Sequence, residues 1–134
     1  MQVLYVDDEE TIGRVVGMWL KRRGHTVHLA GDLATARKQV AEHPIDAAFI
    51  DLRLRNESGI ELQAWLEDEY PHVAERVAFV SGDVVPNEQT ERLLANFGRP
   101  VLAKPFELGE LERLLHVWKD ADGGGRAPDT RGAA

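Results

Sequence analysis

The chain has 134 residues, a net charge of −7, 43% hydrophobic and 29% charged residues, and no cysteine. That length and balance suit one folded domain with a substantial core and argue against disorder. The acidic balance without a basic stripe speaks against direct nucleic-acid binding, the lack of cysteine excludes disulfides and thiol catalysis, and no apolar run reaches membrane-spanning length.

Val3–Val6 (VLYV) is a continuous apolar run, as expected of a strand covered on both faces. It leads straight into four acids, Asp7, Asp8, Glu9 and Glu10. Like charges about 4 Å apart repel by roughly 4 kcal/mol at an effective dielectric near 20. These side chains must therefore splay into water or share a cation. The acids also interrupt the N-terminal apolar stretch too early for a signal peptide, so a cytoplasmic location is expected.

Thr11–Arg23 carries Ile12, Val15, Val16, Trp19 and Leu20 at helical spacing, and Gly24 stops it. Glu9 and Glu10 are expected to lead into this helix, where negative charge suits the N-terminal end. Thr26–Ala30 (TVHLA) predicts a second strand. Asp32 is a plausible N-cap for a helix from Leu33 to about Glu42, before Pro44. Asp46–Ile50 predicts a third strand that ends in Asp51. The loop LRLRNESG precedes a helix through Leu62, Trp65 and Leu66, stopped before Pro71. Val77–Val80 is a fourth strand, ending at Ser81. A helix over about Asn87–Asn96 has Phe97 just past it. Val101–Ala103 is a fifth strand, ending at Lys104 and Pro105. Leu108–Trp118 is the last helix. The alternation predicts an α/β fold, a doubly wound five-stranded parallel sheet with helices on both faces. Folded structure is expected over 1–119. The Gly/Ala-rich stretch 120–134 reads as a flexible tail or a truncated linker.

Ligands of open parallel sheets bind at the carboxyl ends of the strands. Here those ends bring Asp7 and Asp8, Asp51, Ser81 and Lys104. Three clustered carboxylates call for a cation, and oxygen-only ligands suit Mg²⁺. A lysine supplies a point charge for phosphate, and a carboxylate beside a metal can attack phosphorus. The set reads as phosphoryl transfer to an aspartate. Any one of these residues alone is as well explained by a loop, a cap or an exposed turn; their joint placement is what carries the reading.

The segments VLYVDDEE, FIDLRLRNESG, FVSGD and VLAKPF, in that order, resemble response-regulator receiver domains, the CheY-like family of two-component signalling, over about residues 1–118. The resemblance implies strand order 2-1-3-4-5 in a flavodoxin/CheY-like three-layer sandwich with five helices. It implies that Asp51 is the phosphoacceptor. Asp7, Asp8, Asp51 and the backbone carbonyl of Arg53 would hold Mg²⁺, Ser81 would turn toward the phosphoryl group, and Lys104 would contact a phosphoryl oxygen. Pro105 would follow a cis peptide. The phosphoryl source would be a histidine kinase or a histidine phosphotransfer protein in a phosphorelay. The segment 87–118 would serve a homodimer or a downstream partner, with Leu108 and Trp118 as a possible apolar patch. Such a domain is a signalling switch that assists its own phosphorylation and dephosphorylation, not an enzyme acting on an outside substrate.

There are departures. Val101 stands where the family often has an aromatic residue, and Arg55 where it commonly has proline. GRPVLAKPF is similar to receivers of hybrid histidine kinases; stand-alone single-domain regulators are the other likeness. Arg53 and Asp83, each two residues beyond a site residue, are expected to pair across the site and hinder water attack on the acyl phosphate. His25, His28, His43, His72 and His116 show no metal-ligand spacing and read as surface or loop residues.

Three other readings fit less well. A flavodoxin-like cofactor binder would want a small, uncharged loop after the first strand, where this chain has DDEET. An aspartate-based phosphohydrolase would resemble a chain with its nucleophile on the first strand. A degenerate receiver would lack site residues that are present here.

Overall fold

The computed structural model describes residues 1–82 and 88–124. The strands and helices alternate as β1 (Gln2–Val6), α1 (Glu10–Arg22), β2 (Thr26–Ala30), α2 (Leu33–Glu42) and β3 (Ala47–Asp51). A short hairpin of β4 (Arg53–Leu54) and β5 (Glu57–Ser58) follows, then α3 (Gly59–Glu69) and a single turn, α4 (Pro71–Ala74). The chain closes with β6 (Val77–Ser81), α5 (Glu88–Phe97), β7 (Val101–Ala103) and α6 (Leu108–Gly124).

Five strands form one parallel sheet in the order β2-β1-β3-β6-β7, which is the 2-1-3-4-5 order that the resemblance implied. Each interior strand sends alternate residues to opposite faces, because side chains in a strand alternate. Leu4, Val6, Ala48, Ile50, Val77 and Phe79 join Ala36, Val40, Leu62, Leu66 and Val73 in one core half. Val3, Tyr5, Ala47, Phe49, Ala78 and Val80 join Val16 and Leu20 of α1 and Leu111 and Leu115 of α6 in the other. Both faces are covered, so the strands read as unbroken apolar runs rather than as alternating ones.

Local signals act as expected at most boundaries. Gly24 ends α1 with φ +90°, a conformation that costs other residues more. The Asp32 side chain accepts from Thr35 N–H at 2.7 Å and caps α2. Ser58 caps α3 through Ile60 N–H. Pro71 opens α4, where its missing N–H costs nothing.

Three boundaries and one surface expectation differ. The segment expected as a plain loop pairs Arg53 with Ser58 and Leu54 with Glu57 around a tight turn. Phe97 is the last residue of α5 rather than the first beyond it, and its ring packs against Phe79 at 6.2 Å. The last helix continues past Trp118 to Gly124, across the expected limit at 119; a helix already nucleated extends through residues such as Ala121 without needing an apolar stripe. Leu108 and Trp118 do not form an exposed patch, because both are half-buried against the second core half, with Trp118 against Phe49. The apolar side chains exposed on this part of the molecule are Leu93, Val101 and Val117. Among the described residues, no helix is long and apolar enough to cross a membrane.

Candidate functional site

The carboxyl ends of β1, β3, β6 and β7 meet at one rim of the sheet, beside the point where strand order reverses between β1 and β3. Asp51 ends β3 and is 4% exposed; Asp7 follows β1 and is 5% exposed. Ser81 ends β6, is also buried, and sits in register with Ala103 of β7. The backbone N–H of Lys104 donates to the Ser81 carbonyl at 2.8 Å, which brings the lysine stem to the rim. The Lys104–Pro105 peptide is cis, as the resemblance implied.

Lys104 Nζ lies 2.8 Å from Asp51 Oδ2 and 3.0 Å from Asp7 Oδ2, with all three side chains largely removed from water. Buried charges are tolerable only when paired in this way. One carboxylate oxygen each from Asp7, Asp8 and Asp51 lie within 4.8 Å of one another. An octahedral Mg²⁺ with oxygen ligands at about 2.1 Å holds them roughly 3 to 4 Å apart, so this donor set fits such an ion in chemistry and in spacing. The Arg53 N–H donates to Asp51 Oδ1 at 3.0 Å, which sets the first residue of β4 against that carboxylate. The Arg53 side chain is exposed. Asp83, its expected partner, lies outside the described residues.

Electrostatics follow from this packing. Burial raises the Asp51 carboxyl above the usual carboxylate range, against the opposing pull of Lys104 and the Arg53 N–H. A more basic carboxylate is a better nucleophile once ionised. Burial alone would depress Lys104, but its hydrogen bonds to Asp51, Glu9 and Asp7 outweigh that and hold it above the ordinary lysine value. The ammonium is therefore permanent at neutral pH.

Three residues belong to this site that the sequence reading did not assign to it. Tyr5 is buried in β1, and its hydroxyl donates to Asp7 Oδ2 at 3.0 Å. Burial and then the Asp7 charge raise that hydroxyl, so it stays protonated and remains a donor. The signal was available: Tyr5 and Asp7 are two apart and share a strand face, and a buried tyrosine needs a partner. Glu9, which precedes α1 as expected, also reaches Lys104 Nζ at 2.9 Å. Gly59 abuts the backbone of Asp51: a Cβ there would lie 2.2 Å from the Asp51 carbonyl oxygen and 2.7 Å from Ile50. Only glycine lets α3 start so close to the end of β3.

The histidines stay away from this rim. His28 and His43 stack at 4.1 Å between ring centroids, and His28 Nε2 meets Gln2 Oε1 at 2.8 Å. Val101, at the position where an aromatic is frequent in the resembled family, is 44% exposed on β7.

Such a rim, acids on interior strands facing one lysine from the edge strand, defines a class. A family model described as the response regulator receiver domain matches residues 3–116, and the chain belongs to that family. It is similar to the response regulator protein PilR of Pseudomonas aeruginosa, with 28% identity over 114 residues, 85% of this chain and 25% of that protein. The chain thus spans about a quarter of the length of that relative. A response regulator receiver protein from Pseudomonas putida superposes with a TM-score of 0.76 at 27% identity, covering 87% of this chain and 95% of that one. A response regulator from Burkholderia pseudomallei, solved with a phosphorylated aspartic acid, a calcium ion and citrate, superposes with a TM-score of 0.73 at 25% identity, covering 90% and 72%. The chain is a receiver domain of two-component signalling.

Proposed function

We propose that this receiver accepts a phosphoryl group on Asp51 from a phosphohistidine of a partner histidine kinase or histidine phosphotransfer protein. The observation that carries the reading is the convergence of Asp7, Asp8 and Lys104 on the Asp51 carboxylate, with Lys104 Nζ 2.8 Å from Oδ2. An Asp51 oxygen forms a bond to phosphorus as the bond from phosphorus to the imidazole nitrogen breaks. The electron pair of the broken bond stays on that nitrogen, which picks up a proton. Asp7, Asp8, Asp51 and the Arg53 carbonyl are the residues that would hold Mg²⁺. When bound there, the ion supplies the positive charge that lets an anionic carboxylate meet an anionic phosphoryl group. Lys104 holds a phosphoryl oxygen by charge, and the Ser81 hydroxyl donates to another. The Arg53 N–H keeps the Asp51 carboxylate oriented.

The added charge on Asp51 then changes the affinity of this surface for its partners, through the region 87–118 or a second copy of the chain. The receiver unit is taken as 1–119, with α6 carrying the chain on to Gly124. The supporting relatives are response regulators, and one solved neighbour carries a phosphorylated aspartic acid.

The test is direct. Incubation with Mg²⁺ and acetyl phosphate, followed by intact-mass measurement, should show one added phosphoryl group in the wild type and none in Asp51→Asn. Labelling of the variant at the wild-type level would place the acceptor elsewhere.

A further inference from the structure

Glu9 stands at the N-cap position of α1, yet its side chain makes no capping hydrogen bond. It turns the other way, and Oε1 accepts from Lys104 Nζ at 2.9 Å, linking residues 95 positions apart. An ammonium has three N–H bonds. Lys104 Nζ has three carboxylate neighbours at hydrogen-bonding distance, one each from Asp51, Asp7 and Glu9. Hydrogen bonds to Asp51 and Glu9 and the ion pair to Asp7 thus surround the cation before any phosphoryl oxygen arrives.

The three acceptors are not equally held. Asp7 is buried and also accepts from the Tyr5 hydroxyl and from Glu9 N–H. Asp51 is buried and also accepts from Arg53 N–H. The Glu9 side chain is 60% exposed, so water can replace Lys104 as its partner. Of the three, Glu9 is the least costly to displace. Glu9 and Lys104 also line one surface groove, together with Ile12, Val15, Pro105 and Phe106. A donor approaching the ammonium from that groove meets the Glu9 charge first.

We propose that Glu9 is a displaceable plug on Lys104: its carboxylate takes one donor of the ammonium in the unmodified protein, yields it to a phosphoryl oxygen on Asp51, and by its charge slows phosphorylation by anionic donors. The inference rests on Asp51 being the phosphoacceptor. It assigns Glu9 a gating role toward Lys104, and it requires that the effect grow with donor charge and fade with salt. A purely structural role in starting α1 would do neither.

The experiment follows phosphoryl incorporation by intact mass in wild type, Glu9→Gln and Glu10→Gln, with Mg²⁺ present. Acetyl phosphate, carrying more negative charge, is compared with phosphoramidate at low and high salt. Glu9→Gln should raise the rate with acetyl phosphate by about two- to fivefold at low salt, the range of an exposed ion pair. The gain should be smaller with phosphoramidate and smaller at high salt. Glu10→Gln, which removes an equal charge one residue away, should behave as wild type. As an equilibrium readout, beryllofluoride, a phosphoryl stand-in, should bind Glu9→Gln more tightly by a similar factor in calorimetry. Equal rates for wild type and Glu9→Gln, or equal acceleration by both variants, would overturn the plug while leaving Asp51 as acceptor. A wild type that takes up no phosphoryl group would overturn the acceptor assignment, and the plug with it.

Discussion

Lys104 holds together two carboxylates that burial would otherwise set against each other. Its ion pairs with Asp7 and Asp51 are at 3.0 and 2.8 Å, and those partners' side chains are 0% and 6% exposed. Removing one member of a buried ionic set leaves uncompensated charge, at a cost of roughly 3–5 kcal/mol. Lys104→Met should therefore lower the unfolding free energy by about that much in chelator, read from urea titration. Added Mg²⁺ should recover more stability in the variant than in the wild type, because an ion bound among the acids replaces the lost cation. An equal Mg²⁺ gain in both proteins would count against a shared cation site. Asp7, Asp8, Asp51, Ser81 and Lys104 were legible in the sequence because each ends an apolar run or follows one within two residues. Tyr5 and Glu9 were not. Tyr5 was absorbed into its strand as one more large apolar residue, and Glu9 was assigned to its helix. Both contacts depend on where a side chain points, and for Glu9 the partner is 95 residues away.

At the scale of elements, the approach of α3 to β3 fixes the position of Asp51. Gly59 N–H donates to the Leu52 carbonyl at 3.0 Å, and the added Cβ of an alanine would overlap the Asp51 backbone. Overpacking of this kind costs about 1–3 kcal/mol. Gly59→Ala should lose stability in that range and also take up phosphoryl groups more slowly than wild type, since Asp51 itself must shift. Gly109, near the start of α6, has nothing within 4 Å of an added Cβ. Gly109→Ala should be neutral or stabilising by up to about 1 kcal/mol. Similar stability loss in both variants would remove the special role of position 59. The ten-residue and longer helices and the five main strands were readable from periodicity and from Gly24, Asp32 and Pro71. The β4–β5 hairpin was not, because two residues per strand carry no period. Its anchoring is tertiary: Glu57 Oε1 accepts from Leu33 N–H at 3.0 Å and ties the hairpin to the start of α2.

For the whole molecule, part of the pH response belongs to a histidine of β2. His28 is held below the ordinary histidine value, first by burial and then by the neighbouring His43. Below the unfolded value of 6.5 the unfolded chain binds a proton that the folded chain resists. Stability must then fall as pH falls through that range, because the unfolded state binds more protons. Urea titrations at about pH 7.5 and 5.5 should show a smaller loss in His28→Gln than in wild type. An unchanged loss would assign the slope to other groups. The sequence reading took His28 as a surface or loop residue without metal-ligand spacing, whereas it is half-buried in β2. Its stacking on His43 comes from β2 and the end of α2 meeting below the sheet. The fold class, by contrast, was fully legible, since two covered faces leave an unmistakable run of apolar strands.

The sheet gives its site unequal anchorage. β1 and β3, which bring Asp7 and Asp51, each have a hydrogen-bonded strand on either side, whereas β7, which brings Lys104, has β6 alone. The acids stand on the stiff interior of the sheet and the base hangs from its compliant margin. If charge is added at the rim, the lysine side should therefore adjust before the acidic wall does.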